Sequence, residues 1–537
     1  MPRCLCAGGV KGPRLDVTTN HPAVDIKTRP SDRVDFEGTG SPDPRYPQDN
    51  GPNTNTQSQS RWDHSTSSDG TAGLHGAFGE YHDLNALLAL DEVSLAPPNH
   101  DGHLVDVYYT YFHPAHPILP PLHTLNRCGT TPPYLEVVLK FIGSHFTPDI
   151  DSGVYRPLVD AALRNAPNTL HKVQAYLLFS IALHSRHERG EASESAAKAV
   201  ILARELGMHH STYTRFLEAR NSMEGEIVRR TWWELYVVDG LFAAFDGKSA
   251  LDTDILDDDM PLPSDELAYA DCRPDPLPPT AAEFFSRAYA DDEREFSSFC
   301  QRIDATRILR RVLSLNRVGE ANSADGVDLI DANISSWFFL LPDSKTDIIR
   351  GDGSVDEMMF QAYMIIHCAS IFLHFPRSNL LSPSVAAAEI LCAERGNITL
   401  PSSVNNSHAP KTIKAADEIS VLASLRPSNH WHTPFFICAL AVSAIAQLSK
   451  CSTDSTGRGD PQLDKITLTI SLLKSLNRTW AVSQQVLRQI RAVAKGILER
   501  NGRRPPTPRS EENGLDLQSI VNDDWWLGNI QDIQFPM

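Results

Sequence analysis

The chain has 537 residues, of which 41% are hydrophobic, with 37 prolines and a formal net charge of -18 at pH 7. That length exceeds what one ordinary core serves, so it predicts two or three sub-bundles or one large domain with tails. The acidic balance makes the whole chain a poor binder of polyanions, and any contact with DNA requires a local module of clustered Lys and Arg.

Residues 1 to about 75 are rich in Pro, Gly, Ser, Thr, Asn, Gln and Asp and show almost no apolar periodicity. Too little surface can be buried there to offset ordering entropy, so a disordered segment is expected over 1–80. The pattern then changes. LNALLALDEV, from Leu84, reads as a short helix, and 103–112 places Leu104, Val107, Tyr108 and Tyr111 on one face of another. The next stretch holds Pro114, Pro117, Pro120 and Pro121, which remove donors and fix the backbone, so it cannot be helical. Helices are predicted over 132–146, 168–186 and 193–207, the last with a small-residue face of Ala196, Ala199 and Ala203. Gly207 stands where a left-handed C-cap belongs.

The stretch from Glu226 to Pro263 is the densest in the chain. Val228, Trp232, Leu235, Val238, Phe242 and Phe245 recur at spacings of three and four, predicting one helix that stops at Gly247. Arg229 and Arg230 lie near its start, where the helix dipole gives cations nothing, so partners or solvent must satisfy them. The acids Asp252, Asp254 and Asp257 to Asp259 follow; they either line a surface turn or meet that arginine pair. Beyond a Pro- and Asp-rich loop over 257–280, a long helix is expected near 281–317. The nearly all-apolar segments 355–375 and 431–450 should be central, and further helices cover 461–500. Linkers are expected near 318–328, 343–354, 378–410 and 452–460, and no stretch alternates with period two. The fold class is all-α: a large multi-helix bundle over 81–500 with disordered N-terminal and C-terminal tails.

Residues 501–537 begin with a Pro-rich basic linker. They continue into a segment with six acids, no basic residue, and Trp525, Trp526 and Phe535 interleaved among aliphatics. Acidic-hydrophobic alternation of this kind marks activation segments. Equally, it reads as a terminal helix docking its tryptophans on the core.

The nine cysteines are scattered and read as reduced thiols. The longest apolar run, Phe435 to Leu448, is shorter than the roughly 18 residues a membrane span needs, so no membrane contact is expected. Catalytic signatures are absent: there is no GxSxG, GxxxxGK[ST], GxGxxG or HExxH. The histidine pairs 113/116, 184/187, 209/210 and 430/432 lack Cys or carboxylate companions at ligand spacing, so neither metal nor other cofactor is expected. An EF-hand starting at Asp252 fails, because Asp257 stands where Gly is needed and Pro263 where Glu is needed. A terpene-cyclase reading of the aspartates fails too, since they fall in a loop rather than on a cavity-lining helix.

Taken together, Tyr108, Tyr111, Phe112, His113, Pro114, Pro117, Ile118 and Leu119; Ala203, Leu206, Gly207, Met208 and His209; Glu226, Arg229, Arg230, Trp232, Trp233, Tyr236 and Asp239; and Gly247, Asp252, Asp254, Asp257, Leu262 and Pro263 form an ordered set. That set resembles the regulatory, or middle homology, domain of fungal-specific transcription factors, with the best-matched core at 100–270. Gly240 departs from the pattern, standing where members often carry Arg, and Gly-Arg-Pro has become Gly247-Lys248-Ser249. The resemblance implies a nuclear regulator of RNA polymerase II transcription, not an enzyme, acting on a metabolic or secondary-metabolite gene set. His113, Pro117, Gly207, Arg229, Arg230, Trp232, Trp233, Asp239 and Pro263 would be its structural motif residues. Implied partners are the transcription machinery or co-activators, with a homodimer as a further option. The family's binuclear zinc cluster needs six cysteines, whereas Cys4 and Cys6 are followed by no cysteine until Cys128. Contact with DNA would then come through a cluster lost from this gene model or through a partner factor. The alternative is a helical scaffold, adaptor or co-regulator.

Overall fold

The computed structural model describes residues 101–124, 131–247, 253, 257–290, 294–317, 324–380, 407–425, 432–453 and 461–500. All of them belong to one compact unit. The expected helix at Leu84, the N-terminal segment and the acidic-aromatic tail lie outside the described residues.

The architecture is all-α. In chain order the helices are α1 (Leu104–Tyr111), α2 (Pro133–Ser144), α3 (Tyr155–Asn165), α4 (Leu170–Ser185), α5 (Arg189–Glu205), α6 (Ser211–Glu218) and α7 (Ser222–Phe245). They continue with α8 (Glu266–Ala270), α9 (Ala281–Phe285), α10 (Ser298–Arg317), α11 (Ala324–Phe339), α12 (Glu357–His374), α13 (His408–Ser424), α14 (Phe435–Thr453), α15 (Pro461–Leu476) and α16 (Val482–Arg500). Among the described residues the only extended pairing is two isolated bridges, Pro261 with Thr280 and Ile349 with Val355.

Local chemistry sets the ends. Thr169 caps α4 by accepting from Lys172 N, Asn221 caps α7 through Met223 N, and Thr280 with Glu283 forms a full capping box on α9. Gly207 adopts φ +78° after α5. Met208 N there donates to Ala203 O, and Gly207 N to Arg204 O, the paired bonds of a Schellman close. Gly247, at φ +67°, ends α7 where the sequence places the stop.

Three expectations need correction. The helix expected over 281–317 is two helices, because a 3-10 turn at Arg287–Tyr289 and the extended residues before Ser298 separate α9 from α10. The linker assignments near 318–328 and 378–410 overlap α11 and α13, which carry their own apolar faces. Finally, α7 is not amphipathic. Trp233, Tyr236, Val237 and Leu241, opposite the predicted stripe, are as buried as Trp232 and Val238.

That full burial makes α7 the axis of the core, against which α4, α5, α6 and α10 pack. Trp232, Trp233, Trp337 and Trp480 are among the largest buried side chains. Helices α12 and α14 are long and apolar enough to cross a membrane, yet 72% and 89% of those stretches are buried inside the protein. They are core helices. Polar residues of α14 are buried with it, Gln447 Nε2 donating to Ser420 Oγ at 2.9 Å and Ser449 Oγ to Ile445 O at 2.8 Å.

Trp232→Ala should cost about 3–5 kcal/mol through the cavity it leaves. Denaturant unfolding checks this, and an unchanged midpoint would place α7 at the surface.

Candidate functional site

Four acids of α7 and its cap have buried side chains, Glu226, Glu234, Asp239 and Asp246, and each meets an arginine. Glu226 is fully buried. Its Oε2 accepts from Arg229 Nε (3.0 Å) and Nη2 (2.7 Å), and its Oε1 from Arg230 Nε (2.6 Å). Ser264 adds its backbone N to Oε1 at 2.9 Å and its hydroxyl to Oε2 at 3.1 Å. Two of the remaining donors are also used, and Arg230 Nη1 is buried without a hydrogen-bond partner. Arg229 Nη1 reaches Glu218 Oε1 at 2.7 Å, Arg230 Nη2 donates to Ser264 O at 2.8 Å, and the Arg230 guanidinium lies 3.9 Å over the Tyr269 ring. Burial raises the Glu226 pKa, but Arg230 and Arg229 outweigh it and hold the carboxyl below its ordinary value.

Two turns along, Glu234 takes His116 Nδ1 at 2.8 Å and the Arg302 guanidinium, all three groups buried. Here too burial pushes the acid up, and Arg302, with His116, brings it down further. Arg302 also donates to Gln361 Oε1 at 2.7 Å, and Gln361 Nε2 returns to Ala115 O at 2.8 Å. Asp239 binds Arg310 Nη2 at 3.0 Å and the Thr253 hydroxyl. Asp246 binds Arg189 Nε at 2.7 Å, with His184 Nδ1 at 3.9 Å.

These pairs bring the sequence motifs into contact. His113 Nε2 and the Tyr269 hydroxyl both reach Leu119 O, at 2.9 Å and 2.7 Å. Pro117 is buried, and Gln174 Nε2 bridges Ile118 O and Thr231 Oγ1. Trp233 Nε1 donates to Pro261 O at 2.9 Å, and Pro263 O accepts from Ser297 Oγ at 2.8 Å. The exit turn is thereby clamped so that Ser264 faces Glu226. Gly207 sits apart at the end of α5, where it delivers buried Met208 and sets His209 6.0 Å from the Trp232 ring.

Among the described acids of the 252–259 cluster, none bonds Arg229 or Arg230. Asp257 instead accepts from Ser211 N at 3.1 Å, at the start of α6, and from Asp259 N. The arginine pair was already answered within its own helix at i−3 and i−4, the nearest positions a helix offers. Sequence reasoning missed His116, Glu234, Arg302, Arg310 and Ser264 as partners. The available signal was that acids and arginines recur in helices otherwise made of core residues. Gly240 also finds its reason: a Cβ there would stand 2.7 Å from Thr306 Cγ2 and 3.5 Å from Arg310 Cγ. The absent side chain lets α10 approach closely enough for Arg310 to reach Asp239.

Chemically, the arrangement sets Glu226, Glu234, Asp239 and Asp246 each against a guanidinium and leaves Glu226, Glu234, Arg229, Arg230 and Arg302 at 0% exposure. It is built to fix elements rather than to meet a substrate. Among the described residues no group of three His, Cys, Asp or Glu is placed to hold a metal ion, so the zinc typical of the resembled family has no ligand set there. Trp525, Trp526 and Phe535 lie outside the described residues.

Residues 105–322 match the model of the fungal specific transcription factor domain. A relative from Pestalotiopsis fici, the C6 finger domain transcription factor iacK, is 29% identical over 429 residues, covering 78% of this chain and 62% of the relative. The chain thus spans under two thirds of that relative's length. No solved structure matches it.

Burial also shapes the pH response. It holds buried His184 and His374 down to about 4, and His367 to about 3, with Asp246 and Asp331 only partly opposing at the first two. Because the unfolded chain protonates these near 6.5, it binds more protons than the folded one below that pH. Stability is therefore full above about 6.5 and is lost as pH falls. Glu266, pushed up to about 7 by burial, acts in the opposite sense as pH rises from its unfolded value. Three histidines outweigh one glutamate, so Tm should drop between pH 7 and pH 5. A flat or rising Tm would contradict this.

Proposed function

We propose that the chain is a nuclear regulator of RNA polymerase II transcription, governing a metabolic or secondary-metabolite gene set through its helical domain. Residues 81–500 form the regulatory domain, with 1–80 as an N-terminal linker and 501–537 as a basic linker followed by an activation segment. The observation that carries this reading is the family match over 105–322, whose motif residues interlock around α7. His113, Pro117, Gly207, Arg229, Arg230, Trp232, Trp233, Asp239 and Pro263 serve it structurally, by fixing the bundle. The name of the Pestalotiopsis fici relative supports DNA recognition by a C6 finger. In this protein, DNA is reached through a zinc cluster of the C6 type, its own or one that a partner factor supplies.

The tail carries the activating function in this proposal. Its acids keep Trp525, Trp526 and Phe535 hydrated, while the aromatic rings remain available to an apolar groove on a co-activator. Fused to a heterologous DNA-binding domain, residues 511–537 should raise reporter expression above the unfused control. Replacing Trp525, Trp526 and Phe535 by Ala should abolish the increase. A silent fusion that is expressed and nuclear would overturn the activation role and favour a scaffold or adaptor.

A further inference from the structure

Helices α3, α4 and α5 enclose a cleft of about 360 Å³. Its floor is apolar: Leu163, Phe179 and Leu183 are buried, and the half-buried ring of Tyr176 continues the surface. Arg156 forms one wall, its guanidinium 4.8 Å from the Phe179 ring centroid. Lys198 and Lys172 flank Tyr176, each ammonium 6.0 Å from the ring centroid. Ser195 Oγ donates to Tyr176 O at 2.8 Å and pins α5 to α4 at the base.

The charges lining this cleft are not equivalent. Arg156 is taken up by Asp160, Glu188 and Glu191, and Lys198 by Glu194 at 2.8 Å. Arg164, exposed at the mouth, has no carboxylate within ion-pair range among the described residues. Lys172 spends its ammonium on Ala166 O at 2.7 Å and Asn168 Oδ1 at 3.1 Å, so the uncommitted charge is the Arg164 guanidinium, whose planar fork matches a carboxylate with two parallel bonds. The volume falls at the small end of ligand sites, roughly 300–1,000 Å³, room for one flat ring system with a short acidic arm.

We propose that the cleft is a binding site for a small aromatic carboxylate, its ring laid on the half-buried Tyr176 beside the Arg156 guanidinium and its carboxylate held by Arg164. The inference goes beyond the transcriptional reading and does not depend on it, since it concerns binding by the purified chain and stands or falls without DNA or the tail.

The test uses the full chain and three probes of one shape: indole-3-acetate, its neutral amide, and tryptamine. Calorimetric titration should show saturable binding of the acid, with the amide about tenfold weaker for loss of the charge-assisted pair and tryptamine weaker still. Arg164→Gln, a change at an exposed position, should bring the acid to the level of the amide while leaving the ligand-free Tm unchanged. Tyr176→Ala should weaken acid and amide together. No saturable binding of the acid, equal affinity for acid and amide, tighter binding of tryptamine, or an Arg164→Gln variant that still prefers the acid would each overturn the proposal.

Discussion

A carboxylate sealed from water is tolerable only when its charge is answered at hydrogen-bond distance, and α7 meets that condition at Glu226 and Glu234. Five donors converge on the Glu226 carboxylate, and two side chains from different parts of the chain, Arg302 and His116, grip Glu234. Apolar groups of similar volume would often stabilise a core as well or better. An apolar contact, however, tolerates a slide along the helix, while a buried arginine that misses its acid is left with an uncompensated charge. The ladder therefore sets which segments of the chain may lie beside α7, and at what height.

The placements follow from that constraint. His116 must present its ring to Glu234, so the proline-locked segment after α1 is held across α7, with Leu119 O tied to His113 and Tyr269. Arg302 and Arg310, two turns apart on α10, answer Glu234 and Asp239, and the missing side chain at Gly240 permits the approach. Ser264 answers Glu226 only because Trp233 fixes Pro261 and Ser297 fixes Pro263. The family's sequence motif is thus a set of mutual supports.

Much of this was legible in the residues. The all-helical class, the stop at Gly247, the cap at Gly207 and the central place of 355–375 and 431–450 follow from periodicity and from glycine and proline chemistry. Short or interrupted helices were harder. α3, α6, α11 and α13 pack chiefly on the helices next to them in the chain, and a turn at Arg287 divides one expected helix. The site was readable as a list of residue types but not as pairs. Periodicity shows that Val228 and Trp232 share a face. It cannot show that polar residues on the other face are also buried, because that depends on partners arriving from α5, α10 and the segment at His116.

The most direct test is a double-mutant cycle at Glu234 and Arg302. Arg302→Met alone strands a buried carboxylate and should cost about 3–5 kcal/mol. Adding Glu234→Gln to the same chain should recover a large part of that loss, since the stranded charge is gone. If the two changes instead destabilise additively, the pair is not the coupled element that organises α7, and the account built on it fails.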